Sequence, residues 1–594
     1  DLVRSRGLGD VYKRQIEYTG GLILMKVIGK YLILLLVAIL VLSGCGKGGG
    51  NSKDATTSKT ETSNHKGGVL NVALNAAPSG TLSSLLSSDA SDSSVENYFN
   101  EVLIKLDKNL KPKPYIASWK DIDPGKKIKF SIKKGIKWHD GNELTIDDWI
   151  YSLNVLADKD YNGNYYPVVE NIEGSKEKHE GQADSISGIK KVDKYTMEVT
   201  FKDKKVNYLE NFFAGPLLSK KYLSDVPVKD LAKSDKIRKH PIGIGPYKVK
   251  KVVQGEAVQL EKFNDYWQGK PGLDKINLKV IDQTQIVKAM KNGEIDMTDS
   301  TTGSIAQEAK KSGDGKLKVL STPGTDYAVI GFVSHDYDKD KNKTGAERPK
   351  YKEKELRQAM LYAIDRKKWI KAFYQGYGKE LNSFVPSIHW IAANQKDLND
   401  YNYDPEKAKK ILDKLGYKDR NGDGFREDPN GKPFEINLKH YSGSNPTFEP
   451  RTAAIKDFWE KVGLKTNVKM VEFGKYNDDL AQASKDMEVY FRTWTGGSDP
   501  DPSDLYHSDR PQNEMRTTDK TSDKLLDDAL DFSKVGNNDK KRKKIYLEWQ
   551  KHTNDTLPAL PIVQLDTLTV VNDKVKNVDI KIGSDMDLYK LTKE

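Results

Sequence analysis

The chain has 594 residues, a formal net charge of +11, 37% hydrophobic residues and a mean hydropathy of −0.69. That is a strongly hydrated body with no membrane segment beyond its N-terminal region. Its basic excess is spread through mixed runs such as Asp539 to Lys544, with no nucleic-acid-binding module beside them, which excludes a nucleic-acid partner. The single cysteine, Cys45, excludes an internal disulfide framework and any cysteine-based metal site.

Met25 reads as the start of the protein and residues 1–24 as a non-native upstream extension. Residues 25–44 read as a signal peptide, with Lys26 and Lys30 ahead of an apolar run from Tyr31 to Leu42. That run is shorter than the ~20 residues a spanning helix needs. Leu42-Ser43-Gly44 before Cys45 looks like a bacterial lipoprotein processing site, with Cys45 as the lipidated residue. A signal-anchor helix with an incidental cysteine is the alternative. Residues 45–65 are a Gly-, Ser- and Thr-rich flexible linker.

From Lys66 onward the chain is too long for one core, so two or three lobes are expected. Gly67 to Leu74 alternates as a strand, and Lys127 to Lys133 does so again. Asp140-Gly141 marks a turn, and Thr145 with Asp148 opens a helix as a capping box. Val192 to Phe201 reads as one strand; Gly245 to Lys250, Val258 to Lys262 and Ile276 to Ile281 read as three more. A helix follows from Thr284 to Asn292, closed by Gly293. Residues 352–373 carry helical spacing at Leu356, Ala359, Met360 and Ala363. Asp404-Pro405 starts a helix with the stripe Ala408, Ile411, Leu412, Leu415 and a stop at Gly416. Then come a strand at Phe434 to Tyr441, a helix at Phe448 to Val462, and strands at Leu464 to Val471 and Met487 to Thr493. A last helix over 539–554 leads through Leu557 to Gln564 into a final β segment. The mixture sets the fold class as α/β.

Six blocks in order carry a resemblance. They are Pro114 to Trp119 with Ile136 to Gly141; Pro241 to Tyr247 with Phe263 to Trp267; Ala289 to Asp296; Leu356 to Arg366; Tyr403 to Ala408; and Trp494 to Pro502. Together they resemble the peptide-binding branch of the family-5 extracellular solute-binding proteins of ABC importers. Ser87 to Ser91 and Asn162 to Gly174 look most like the long-peptide binders of Gram-positive bacteria. The resemblance implies a two-lobed periplasmic-binding-protein-like fold of the class II type, with an extra subdomain inserted in the first lobe. By analogy the first lobe is 66–322, with its outer subdomain at 106–238, the second lobe is 323–557, and 558–594 returns to the first. Hinges are expected near Ser321 to Gly324 and at Leu557-Pro558.

The implied function is capture of oligopeptides between closing lobes and delivery to an ABC permease with its ATPase subunits. The protein would be a monomer anchored by lipid on the extracytoplasmic face of the cell membrane, with no cofactor and no catalysis. Trp494, Thr495 and Gly496 are expected to line the ligand pocket, and Asp499, with Asp501 in reserve, to bind the peptide amine. Gly497 stands where the family's more usual aspartate falls, and Asp499 to Pro502 also reads as a rigid capping turn. The same fold binding an oligosaccharide, a nickel chelate or a signalling peptide is the rival within the class. A surface hydrolase and an adhesin are rivals outside it.

Asp419, Asn421, Asp423 and Glu427 imitate the first positions of a calcium loop, but position 12 is Asn430 and Pro429, Gly431 and Pro433 interrupt any following helix. A polar hairpin turn is the expectation there, with calcium as the alternative. The nine histidines show no metal-ligand spacing.

Overall fold

The structure is a computed structural model that describes residues 67–594 except 88, 213–214, 444, 446, 498 and 582–585. The signal peptide, Cys45 and the linker lie outside the described residues. Among the described residues no helix is long and apolar enough to cross a membrane.

The strands that build the body are, in chain order, β1 (Val69–Leu74), β2 (Ala117–Asp123), β3 (Lys127–Ile132), β4 (Ile189–Asp193), β5 (Thr196–Thr200), β6 (Tyr247–Val253), β7 (Ala257–Lys262) and β8 (Lys275–Val280). They continue as β9 (Met297–Thr298), β10 (Leu317–Phe332), β11 (Gly378–Glu380), β12 (Glu435–Tyr441), β13 (Lys465–Val471), β14 (Val489–Trp494) and β15 (Ala559–Asn572). Eleven of them form one sheet in the order β13–β12–β14–β10–β15–β9–β1–β8–β7–β6, with β11 beside β15. β2, β3, β5 and β4 make a separate four-stranded sheet.

Alternation decides which face each strand buries. In β3, Ile128, Phe130 and Ile132 turn inward while Lys127, Lys129 and Ser131 turn out. Phe130 stacks on Phe212 at 4.7 Å and tilts against the buried Trp149 at 5.1 Å, the centre of the outer subdomain's core. Trp149 is held there by the helix Ile146–Leu156, whose first turn is closed by the Thr145 N–H donating to Asp148 at 2.9 Å.

Two long strands join the halves of the large sheet. β10 and β15 pair antiparallel along their length, Leu317–Pro323 against Asn572–Asp566 and Tyr327–Gly331 against Gln564–Ala559. Between Pro323 and Tyr327 the register slips, leaving Gly324, Thr325 and Asp326 opposite Leu565. Leu557, Leu560, Ile562 and Val563 belong to the core built from Ala328 to Phe491. Val571, Val575, Leu588 and Leu591 belong to the core around β1 and β8.

Two elements differ from expectation. The single strand expected over Val192–Phe201 is a hairpin, because Asp193 accepts the Tyr195 N–H at 2.7 Å and turns the chain between β4 and β5. The helix expected over 352–373 is two helices, Lys354–Tyr362 and Arg366–Tyr374. Asp365 restarts it by capping the Lys368 N–H at 2.9 Å, while buried Arg366 donates to the Pro561 carbonyl of β15 at 3.1 Å.

Candidate functional site

A cavity of about 1180 Å³ opens where β10 and β15 cross between the halves. Thr322, Pro323 and Thr569 of the crossing strands line it, with Asp299 and Ser300 at the end of β9 and Thr495 just beyond β14. β1 and β9 run parallel, so the lining at Asp299 sits beyond the carboxyl ends of neighbouring strands, where open α/β sheets bind ligands.

β14 ends at Trp494, paired opposite Tyr327. That register brings the next residue, Thr495, beside Asp326. Burial pushes the Asp326 carboxyl above its usual range, and the Thr495 hydroxyl partly opposes the shift. Trp494 does not line the cavity: it packs on a further core around Tyr327, Tyr490 and Trp549, with the Arg492 guanidinium 4.5 Å over its ring. At Gly496 an added Cβ would lie 3.0 Å from the Thr325 carbonyl, so a larger residue would lift the loop off the crossing strand.

Asp499 and Asp501, expected to meet the peptide amine, do not line the cavity, and both carboxylates have protein partners. Asp499 accepts the Asn207 side-chain N–H at 3.1 Å and the Asp501 N–H at 3.0 Å, with an Arg542 nitrogen 3.7 Å away. Asp501 accepts the Ser503 hydroxyl at 2.8 Å and the Tyr546 hydroxyl at 3.1 Å. Burial and the adjacent Asp499 raise the Asp501 carboxyl. The pair sits in a capping turn beside a cationic helix, Asp539–Thr556.

Asn207 to Asp499 is one of several contacts between the outer subdomain and the segments around Trp390 and Asp539. Asn537 donates to Asp121 at 2.7 Å, the Trp390 backbone N–H donates to the Asn109 carbonyl at 3.0 Å, and Lys111 pairs with Asp539. Gly125 lies against Phe532 so closely that a Cβ would fall 2.5 Å from the ring.

The calcium-like loop folds as a hairpin turn, bridged from Lys418 to Glu427. Its oxygens are occupied by the turn itself. Asp419 accepts the N–H groups of Gly422 and Gly424 at 2.7 and 2.9 Å, Asn421 that of Asp423 at 2.8 Å, and Glu427 that of Arg420 at 2.7 Å. Among the described residues no group of three or more His, Cys, Asp or Glu side chains converges as metal ligands.

Asp299 is a cavity residue that local sequence gave no reason to select. It stands only three residues beyond a recognisable block, which ends at Asp296. Its place at the cavity comes from pairing between segments far apart in sequence.

Residues 111–515 match the family described as bacterial extracellular solute-binding proteins, family 5 Middle. The oligopeptide-binding protein AppA of Bacillus subtilis is 29% identical over 523 residues, covering 87% of this chain and 90% of the relative. Its solved structure in complex with a nonapeptide matches with a TM-score of 0.67 at 26% identity, covering 89% of this chain and 99% of that one. Lactococcal OppA, closed on an endogenous peptide, matches with a TM-score of 0.72 at 25% identity, covering 88% and 99%. With more than half its length matched to one family, the chain belongs to the bacterial extracellular solute-binding proteins of family 5.

Proposed function

We propose that the protein is the extracytoplasmic receptor of an ABC importer, capturing oligopeptides between its lobes and presenting them to the permease and its ATPase subunits. The observation that carries this is the cavity at the strand crossing. Its ~1180 Å³ exceeds the ~300–1,000 Å³ of ordinary small-molecule pockets and fits an extended peptide. Two relatives of the same fold were solved with peptides bound.

The lobes divide at the register slip, with Gly324–Asp326 on one strand and Leu565–Asp566 on the other as the hinge. Leu560, Ile562 and Val563 pack with the core built from Ala328 to Phe491, which supports a second crossover a few residues beyond Leu557-Pro558. Thr495 is the second lobe's ligand contact, and Asp499 acts with Asn207 as a closing contact. Cys45 carries the lipid that holds a monomeric receptor at the membrane through the 45–65 linker.

Native mass spectrometry of the protein purified from peptide-rich cells tests this reading. A ladder of bound masses that fragments into peptides is expected. One discrete non-peptide mass would replace it with a dedicated receptor for another solute.

A further inference from the structure

Four acidic residues line the cavity, Glu101, Asp107, Asp299 and Asp587, and their surroundings differ. Asp587 is paired with Lys581 at 3.1 Å, Lys590 at 2.8 Å and Lys105 at 3.8 Å. Asp107 accepts the N–H groups of Asn109 and Lys111 at 2.7 and 3.0 Å and so closes its own turn. Glu101 receives the phenol hydroxyls of Tyr115 and Tyr266.

Asp299 is different. Its backbone is fixed where β1, β9 and β15 meet, through its N–H to the Ala73 carbonyl at 3.0 Å and its carbonyl to the Thr569 hydroxyl at 3.5 Å. Its carboxylate takes the Tyr98 hydroxyl at 3.1 Å and a hydrogen bond from Ser94. Among the described residues no lysine, arginine or histidine lies within ion-pair distance of it. Burial raises its carboxyl above the usual range, as expected for a charge withdrawn from water without a counter-ion. Thr322, on the crossing strand that also lines the cavity, has a buried Oγ1 with no partner. A carboxylate and a spare hydroxyl oxygen within one cavity form an acceptor set that a ligand's N–H donors would complete.

We propose that Asp299 is a specificity-determining residue of the cavity, pairing with a cationic group of the bound peptide. The group is an alkylammonium or guanidinium, supplied by the peptide's N-terminus or by a lysine or arginine side chain. The inference rests on the reading of the cavity as the peptide site. Neutral or acidic peptides leave the carboxylate buried and unpaired, so they bind more weakly.

The test is isothermal titration of the full protein with peptides of one length in three sets. One set has a free N-terminus and Lys or Arg; one replaces those side chains by norleucine and citrulline; one is N-acetylated. The wild type should prefer the set carrying the recognised cation by roughly tenfold or more, which is about 1.4 kcal/mol. Loss of preference on acetylation assigns the terminal ammonium; loss with norleucine and citrulline assigns the side chain. Asp299→Asn should bring the ratio between sets to about one. It should also melt no lower than wild type without ligand, because it removes an uncompensated buried charge. Equal affinity of the wild type for all sets overturns the inference alone and needs no variant. An unchanged ratio in a folded Asp299→Asn protein also overturns it. Failure of every peptide to bind overturns the receptor reading and this inference together.

Discussion

Gln564 spans the register slip between the crossing strands: its Nε2 donates to the Gly324 carbonyl at 2.8 Å while its Oε1 accepts the Ser387 N–H at 2.9 Å. The side chain is buried, so both bonds are made away from water. Gln564→Leu keeps the volume and leaves a backbone carbonyl and an N–H without these partners. It should cost about 1–3 kcal/mol in urea unfolding. It should also loosen the hinge, seen as a larger ligand-dependent change in radius of gyration by small-angle scattering. Wild-type stability and scattering would remove Gln564 from the hinge.

The closing seam yields a second expectation. Gly125 has a φ of +76° and its missing side chain leaves room for Phe532. Gly125→Ala should therefore hinder full closure and weaken peptide affinity on the order of tenfold, about 1.4 kcal/mol. Titration of peptide into the variant decides it; unchanged affinity would mean that the seam plays no part in retention.

Three histidines, His389 and His440 buried and His139 half-buried, make the fold sensitive to acid. Burial lowers His139 and His389 from 6.5 to about 4, and His440 to about 3, where Arg451 adds repulsion. Each is neutral in the folded protein and gains its proton on unfolding. The stability they supply is complete above pH 6.5 and is lost as pH falls towards their folded values, at about 1.4 kcal/mol per pH unit per residue. Glu514, raised to about 7 by burial, works in the opposite sense and favours the fold below that pH. Between about pH 7 and pH 5, His440→Asn should lose roughly 2 kcal/mol less stability than wild type. Equal losses would remove His440 as a source of the slope.

Cys45→Ala should move the protein from the membrane fraction to the medium and abolish labelling by a fatty-acid analogue. Retention at the membrane would favour a signal-anchor helix over the lipid.

The hairpin turn at Asp419 to Glu427 should be indifferent to calcium. Addition of millimolar calcium or a chelator should leave the melting temperature unchanged, since backbone N–H groups already occupy the side-chain oxygens. A calcium-dependent rise of several degrees would show the turn opening to a cation.

Local pattern was enough for the elements whose signals are local. Ile128, Phe130 and Ile132 alternate in β3, Thr145 and Asp148 open the helix at Ile146, and Asp404-Pro405 opens another, as their spacing dictates. The hairpin at Asp193 and the helix break at Asp365 turn on one side-chain hydrogen bond each, which periodicity averages away. The site was less legible. Thr495 stands in a block that the family resemblance marks, and it does line the cavity. Asp299 reaches the cavity only through strand pairings, such as Met297 with Val571, that join distant segments. For Asp499 and Asp501 the capping-turn reading was open in sequence, but Asn207, Arg542 and Tyr546, which engage them, come from elsewhere in the chain and could not be named.

The strand order sets a schedule for making the protein. β15 lies between β10 and β9, and Lys593 reaches Asp296 at 2.8 Å, so the half of the large sheet around β1 and β8 stays unjoined to β10 until residues 559–593 are made. The core built from Ala328 to Phe491 is drawn from one continuous stretch ending in the first half of β15 and can close on itself earlier. A chain delivered from its N-terminus thus completes this later core first. The earlier half, which carries Asp299, waits for β15, and removal of β15 strikes the oldest part of the molecule hardest.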